Sequence, residues 1–244
     1  MTTEEFSNGM DILLNSYADS PLFGEEAGRT SLTLNEYEKS FYLTKGQEET
    51  VLSLYTGRTP EGDSFEETEE LRRFLSELIC EEDITPEDKG MWKGVSKNSS
   101  FFQLPEDLWF ITYESVSVSG HNCGDGTILE VIPVRQDEYH RIKKNPFRGA
   151  NGRRALRLDM SDHVVEIVSD YTVSNYYVRY LKKLTPIILI DLPDGLEIDH
   201  RSEKTPCMLD KNLHQRILER AVFLALRDRG STPSRRAKNN NENR

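Results

Sequence analysis

Few residues in this 244-residue chain combine the types and spacing that chemistry requires. The segment HNCGD puts His121, Cys123 and Asp125 within one turn, an imidazole, a thiol and a carboxylate of the kind zinc takes. Closing a tetrahedral site would need ligands from distant positions such as His140 or His163, whereas Gly, Asn and Asp at a hairpin tip need no metal at all. Cys207 and His214 form a nominal thiol–imidazole pair, but they flank a helix start and no third group is evident to orient the ring. His214 therefore reads as a residue that bonds a neighbouring backbone or side chain. Glu61 to Asp88 holds twelve acids against Arg72 and Arg73. No Glu-x-x-His accompanies them, as a di-metal site in a bundle would want, so they read as a solvated face. No phosphate cradle of the G-x-x-x-x-G-K-[ST] or G-x-G-x-x-G type is present. YYVRYLKK mixes aromatics and bases as single-strand binders do. Strand alternation, with Tyr177, Arg179 and Leu181 on one face and Tyr176, Val178 and Tyr180 on the other, explains it equally well. No catalytic, metal or cofactor-binding residue is assigned, and the chain reads as a non-enzyme without cofactors.

The composition sets the frame for these residues. A net charge of −11 argues against coating nucleic acid as a main task. The longest apolar runs, PIILI and VFLAL, fall far short of the ~20 residues that span a bilayer. The start MTTEEFSNGM lacks the basic opening and apolar core of a signal peptide. Three cysteines without a C-x-x-C pair read as free thiols in a reducing compartment. The last eighteen residues carry six bases, two acids and no large apolar side chain, a composition expected to be disordered alone and to order against a partner.

Helical period opens the chain. Thr2 and Glu5 form a T-x-x-E capping box ahead of Phe6, Met10, Leu13, Leu14 and Tyr17. A second helix is expected from TLNE to Tyr55, apolar on more than one face and bent near Gly46. A third starts at Ser64, with Leu71, Phe74, Leu75, Leu78 and Ile79 as its stripe. The period then changes. LWFITYESVSV and TILEVIPV read as strands joined by a Gly-rich turn, followed by RALRLDM, HVVEIVS, NYYVRYL and PIILIDL. DEYHRIKKNPFRGANG reads as polar, turn-rich connection. With no crossover helices visible, the sheet is expected to be mostly antiparallel. Asp210 caps a last helix with Leu213, Ile217, Ala221, Leu224 and Ala225 as its buried stripe, packing back onto the opening helices.

The fold class is therefore α+β: a helical bundle of N-terminal helices plus a C-terminal helix, with an inserted, mostly antiparallel β domain. Residues 1–90 form the helical part, 91–195 the insert, 196–226 the closing helix and 227–244 the basic tail.

Four stretches in this order, LNEYEKSFYLTKGQEETVLSLY, GDSFEETEELRRFL, YYVRYLKKLTPIILIDL and LHQRILERAVFLAL, resemble the head-to-tail ring (neck) proteins of crAss-like and related short-tailed bacteriophages. The resemblance covers roughly residues 1–80 and 175–226. It implies a virion structural protein, a connector or adaptor docking below the portal protein and forming part of the DNA channel. It also implies a cyclic homo-oligomer of about twelve copies, neighbouring neck or tail ring proteins, transient non-specific contact with viral DNA and no membrane. Such a protein would reside in the virion neck or tail, and in the host cytoplasm during assembly. On that reading Glu66, Glu67, Glu69, Glu70 and Glu77 are candidates for an acidic channel or surface face. Arg227, Arg229, Arg235, Arg236 and Lys238 are candidates for a docking interface. An acidic, non-catalytic interaction module elsewhere in the virion, baseplate or capsid-associated, is the alternative.

Overall fold

The computed structural model describes residues 1–18, 33–57, 69–87, 92–120, 124–193 and 195–230, except the side chains of Tyr17, Ala18, Glu70, Leu71 and Arg229. Two compact units emerge: Met1–Glu77 with Leu184–Arg244, and Leu78–Lys183.

In the first unit, α1 (Thr3–Ala18) begins at the expected box. The Thr2 N–H donates to Glu5 Oε2 at 2.8 Å and the Glu5 N–H donates to Thr2 Oγ1 at 3.2 Å. Phe6, Met10 and Leu14 are its buried stripe. The second helix, α2 (Glu36–Thr56), starts two residues later than TLNE suggests. Asn35, not Thr33, is the N-cap, in a reciprocal box with Glu38, and Gly57 ends the helix with a left-handed φ of 68°. Leu213, Ile217, Ala221, Leu224 and Ala225 of α5 (Lys211–Gly230) are all buried, and Leu218 and Val222 widen the stripe. The Asn212 N–H donates to Asp210 Oδ1 at 2.8 Å, so the expected cap is in place. The helix runs unbroken through Gly46. A Cβ there would stand 2.9 Å from Ala221 N and Ile217 O, so glycine lets α2 and α5 cross backbone to backbone. A Cβ on Gly9 would likewise meet Leu218, which places α1 on the other flank of α5.

PIILIDL is not a strand of the sheet. It runs extended along α2, where the Leu189 N–H donates to Ser40 Oγ at 3.0 Å, the Ile187 N–H to Thr44 Oγ1 at 3.1 Å, and Gln47 Nε2 to the Thr185 carbonyl at 2.9 Å. Ser40, Thr44 and Gln47 recur at helical spacing and are buried because this segment uses their polar atoms. That explains why α2 is covered on two faces. Lys39, also buried, ties the opening helices together, at 2.7 Å from Asp11 and 2.9 Å from Glu36. Burial acts to lower its pKa, but its bonds to Asp11 and Glu36 hold the ammonium above the usual lysine value.

The third helix is shorter than the stripe predicts: α3 spans Glu69–Phe74, a 3-10 turn covers Ser76–Leu78, and Ile79 already opens a strand. The proposed start at Ser64 lies outside the described residues. Leu75 and Leu78 are buried as expected, but beyond them Cys80 and Ile84 sit on one face at strand spacing and pack on the β core.

In the second unit the strands are β1 (Ile79–Ile84), β2 (Ser99–Gln103), β3 (Leu108–Ser119), β4 (Thr127–Pro133), β5 (Arg154–Asp159), β6 (Val164–Val168) and β7 (Thr172–Lys182), in the order β1-β7-β3-β4-β5-β6-β2. All pairings are antiparallel except β4 with β5. That parallel pair needs a crossover, supplied by α4 (Tyr139–Lys143) in the stretch read as plain connection. Only Tyr139 and Ile142 are apolar there, too few for a helical period to show. They cover Leu156, Leu158 and Val168 on the outer face of β5 and β6.

The sheet curls on itself. Strands β7 and β2 stand five places apart, about 24 Å in a flat sheet at ~4.8 Å per strand. Yet the rings of Tyr176 and Phe102 are 5.3 Å apart, inside a core that also holds Val116, Leu129, Val165 and Val178. Alternation in β7 holds, with Tyr176, Val178 and Tyr180 facing this core and Tyr177 and Arg179 facing away.

Candidate assembly surfaces

Cys207 and His214 are each bonded to other groups. Cys207 Sγ donates to Gln47 Oε1 at 3.3 Å, and burial pushes its thiol pKa up, away from the thiolate. His214 Nε2 donates to the Leu209 carbonyl at 2.9 Å while Nδ1 accepts from the Met1 amino group, a neutral tautomer fixed by its partners. Burial lowers its pKa, and the Phe6 ring stands 5.2 Å away. In HNCGD, His121 and Cys123 lie outside the described residues. Asp125, flanked by Gly124 and Gly126 of positive φ, accepts the Gly120 N–H on Oδ1 at 2.7 Å, a bond that closes the hairpin. His140 sits in α4 and His163 in the β5–β6 turn; among the described residues no three His, Cys, Asp or Glu side chains converge as a metal would require.

Of the acidic candidates, Glu66 and Glu67 lie outside the described residues, as does the side chain of Glu70. Glu69 is exposed on α3, 3.4 Å from Arg73, and Glu77 is exposed in the 3-10 turn, so these two do not share a helical stripe. Of the basic candidates, Arg235, Arg236 and Lys238 lie outside the described residues. Arg227 and Arg229 belong to α5, which runs four residues past the expected end at Leu226. Arginine favours helix and Gly230 is the residue type at which helices stop. Arg227 is exposed, 3.3 Å from Asp228.

Three features escaped the sequence reading, all in the β unit. Inside the curl, Arg157 Nη1 donates to both oxygens of Glu114 at 2.8 Å and Tyr176 Oη donates to Glu114 Oε2 at 2.6 Å. Arg157 Nε lies 3.0 Å from Asp159 Oδ1, a charge contact without hydrogen-bond geometry. Burial raises the Glu114 carboxyl pKa against the pull of Arg157, and raises the Tyr176 phenol well beyond its usual range. With both Glu114 oxygens occupied, the cluster holds the core together and presents no free base.

Outside the curl, β1, β7, β3 and β4 leave a face with a depression of about 570 Å³ floored by Tyr113, Tyr177, Ser117, Asn175 and Ile128. Ile128 is 69% exposed and the Tyr113 and Tyr177 rings meet edge to face at 6.0 Å. Asp83, Glu81 and Glu130 are exposed around it. Tyr177 Oη donates to Glu81 at 2.6 Å and Arg179 lies 3.3 Å from it, holding that carboxyl below the usual range and ionised. The third feature is the connection from α4 to β5. Between Glu138 and Asp159 the sequence has seven Lys and Arg residues and no acid, a gap in an acidic chain that was legible in the sequence. At its tip stands Phe147, 84% exposed.

Exposed aromatic and aliphatic side chains framed by charge are the composition of interaction surfaces. The description phage tail ring protein 3/4 fits residues 1–237, and the chain belongs to that family of structural phage tail proteins. It is similar to Ring protein 3 of Bacteroides phage crAss001, with 45% identity over 229 residues, 93% of this chain and 95% of that protein. Ring protein 4/5 of the same phage is 29% identical over 234 residues, 92% of each chain. The resemblance read from four stretches of sequence thus holds along nearly the whole chain.

Proposed function

We propose that the protein is a non-catalytic ring of the head-to-tail connector: its copies close into a cyclic homo-oligomer of about twelve, dock below the portal protein and surround the DNA path. The observation that carries this reading is the match to a tail ring family over residues 1–237. The charge fits the task. A conduit for DNA works best without gripping phosphates, since each neutralised phosphate adds salt-dependent affinity, and a chain of net charge −11 repels them. Glu66, Glu67, Glu69, Glu70 and Glu77 are proposed to face the channel or the surface near it. Arg227 and Arg229 at the end of α5, with Arg235, Arg236 and Lys238 beyond it, are proposed to pair with acids of the portal or an adjacent ring. Each exposed pair contributes about 0–1 kcal/mol, and repetition around a ring makes the sum count.

Cross-linking mass spectrometry on intact particles tests the placement. Links from this chain to other copies of itself, to the portal and to a neighbouring tail ring are expected. Links confined to capsid or baseplate proteins would favour an interaction module elsewhere in the virion.

A further inference from the structure

We infer that the Phe147 loop of one copy docks in the Tyr113–Tyr177–Ile128 depression of the next, making a heterologous contact that propagates the ring. The inference rests on the ring reading above and names the surfaces that reading leaves open.

The loop is built to present its tip. Asn145 Oδ1 accepts the Phe147 N–H at 2.9 Å, Arg154 Nη1 donates to the Phe147 carbonyl at 2.8 Å, and the Gly149 N–H donates to the Asn145 carbonyl at 2.8 Å. With its backbone already held, the loop loses little freedom on binding. Phe147 stands among exposed Arg141, Lys143, Lys144, Arg148 and Arg153. An aromatic anchor framed by arginines is the composition of an interface hot spot.

The depression offers the complement. Its floor mixes Tyr113, Tyr177 and Ile128 with small polar side chains, Ile128 and Tyr113 being open to solvent, and three acids, Glu81, Asp83 and Glu130, stand around it against one cation, Arg179. Phe147 and Ile128 are the two most exposed large apolar side chains among the described residues. Seating one over the other buries both, and brings the basic loop against the acids beside the depression.

The occupant that fits best is a second copy of this chain. Two subunits of net charge −11 repel one another unless a basic patch on one meets acids on the other. The loop and the depression are different patches of the same unit, so each copy carries one of each. Contacts of this head-to-tail kind generate rings when the rotation closes. Duplex DNA would satisfy the cations but leave Phe147 in water.

The test uses the unmodified full-length protein. Equal amounts of unlabelled and ¹⁵N-labelled chain are mixed and treated with a carbodiimide, which joins only lysines and carboxylates in direct contact. The inference predicts mixed-isotope peptides joining Lys143 or Lys144 to Glu81, Asp83 or Glu130. In sedimentation velocity, Phe147→Ala and Ile128→Ala should each weaken self-association by about tenfold or more, while Phe223→Ala on α5 should not. Multimers that persist with inter-copy links only elsewhere would overturn the inference and leave the ring reading standing. A chain that stays monomeric at every concentration, or loop lysines protected by duplex DNA and not by a second copy, would overturn it too. The ring reading itself fails only if particles lack this chain in a tail ring.

Discussion

At the scale of single residues, the buried charges are the most sensitive points. Glu114 and Arg157 stand largely out of water, each the other's main counter-charge. Glu114→Gln removes the buried negative partner and leaves the guanidinium only the exposed Asp159, and breaking a buried pair in this way typically costs about 3–5 kcal/mol. The double variant Glu114→Gln with Arg157→Met should recover a large part of that loss, and equilibrium unfolding in urea measures both. Equal stability of wild type and Glu114→Gln would show that the pair carries no weight. His214 gives a pH signature. Its folded pKa is depressed by burial below the usual 6.5, so the unfolded chain takes up the proton first. Its contribution is present above pH 6.5 and is lost as pH falls through the folded pKa. Stability should therefore fall as pH drops below 6.5, and His214→Gln should flatten that part of the profile. The sequence suggested a structural His214, because a helix-start histidine without an orienting acid has backbone to bond. It gave no sign of Glu114 and Arg157, since they come from strands 43 residues apart and only the curl of the sheet brings them together.

At the scale of elements, the crossing of α2 and α5 decides whether the helical unit closes. Gly46→Ala places a methyl group against backbone atoms of Ala221 and Ile217, which cannot give way as a side-chain tip can. A loss of about 1–3 kcal/mol is expected from that overpacking. Ile217→Ala leaves a cavity at the same crossing and should cost about 2–5 kcal/mol, while the exposed Gln215→Ala should change little. Thermal melts of the three variants check the order. The stripe of α5 was readable because a helical period of buried residues repeats from Leu213 to Leu226. Strand β2 was not, because SSFFQ is too short to alternate clearly, and PIILIDL misled because a buried extended segment carries the same apolar signature whether it pairs in a sheet or bonds to helix side chains. The α3–β1 switch was hidden for a related reason: Leu75, Leu78 and Ile79 satisfy a helical spacing that the chain abandons at the strand.

At the scale of the whole molecule, the chain's two ends meet in one unit while the middle forms another. The order of helices, then strands, then a helix is what made an insert legible from the sequence. Of the proposed copy-to-copy surfaces only the basic stretch around Phe147 was legible, since Phe147 and Ile128 themselves look like ordinary loop and strand residues until their exposure is known. Ending the chain after Gly230 removes Arg235, Arg236 and Lys238 but no described helix or strand. It should leave melting behaviour unchanged and reduce incorporation into particles, as read by quantitative immunoblotting of purified virions. The central claim is that this chain builds a ring in the phage tail. Symmetry-averaged electron cryomicroscopy of intact virions tests it most directly. The account predicts that this chain, fitted into the density, repeats as one closed ring about the tail axis between the portal and the next tail component. Particles in which the chain is absent from the tail, or present only as copies that do not close around that axis, would contradict it.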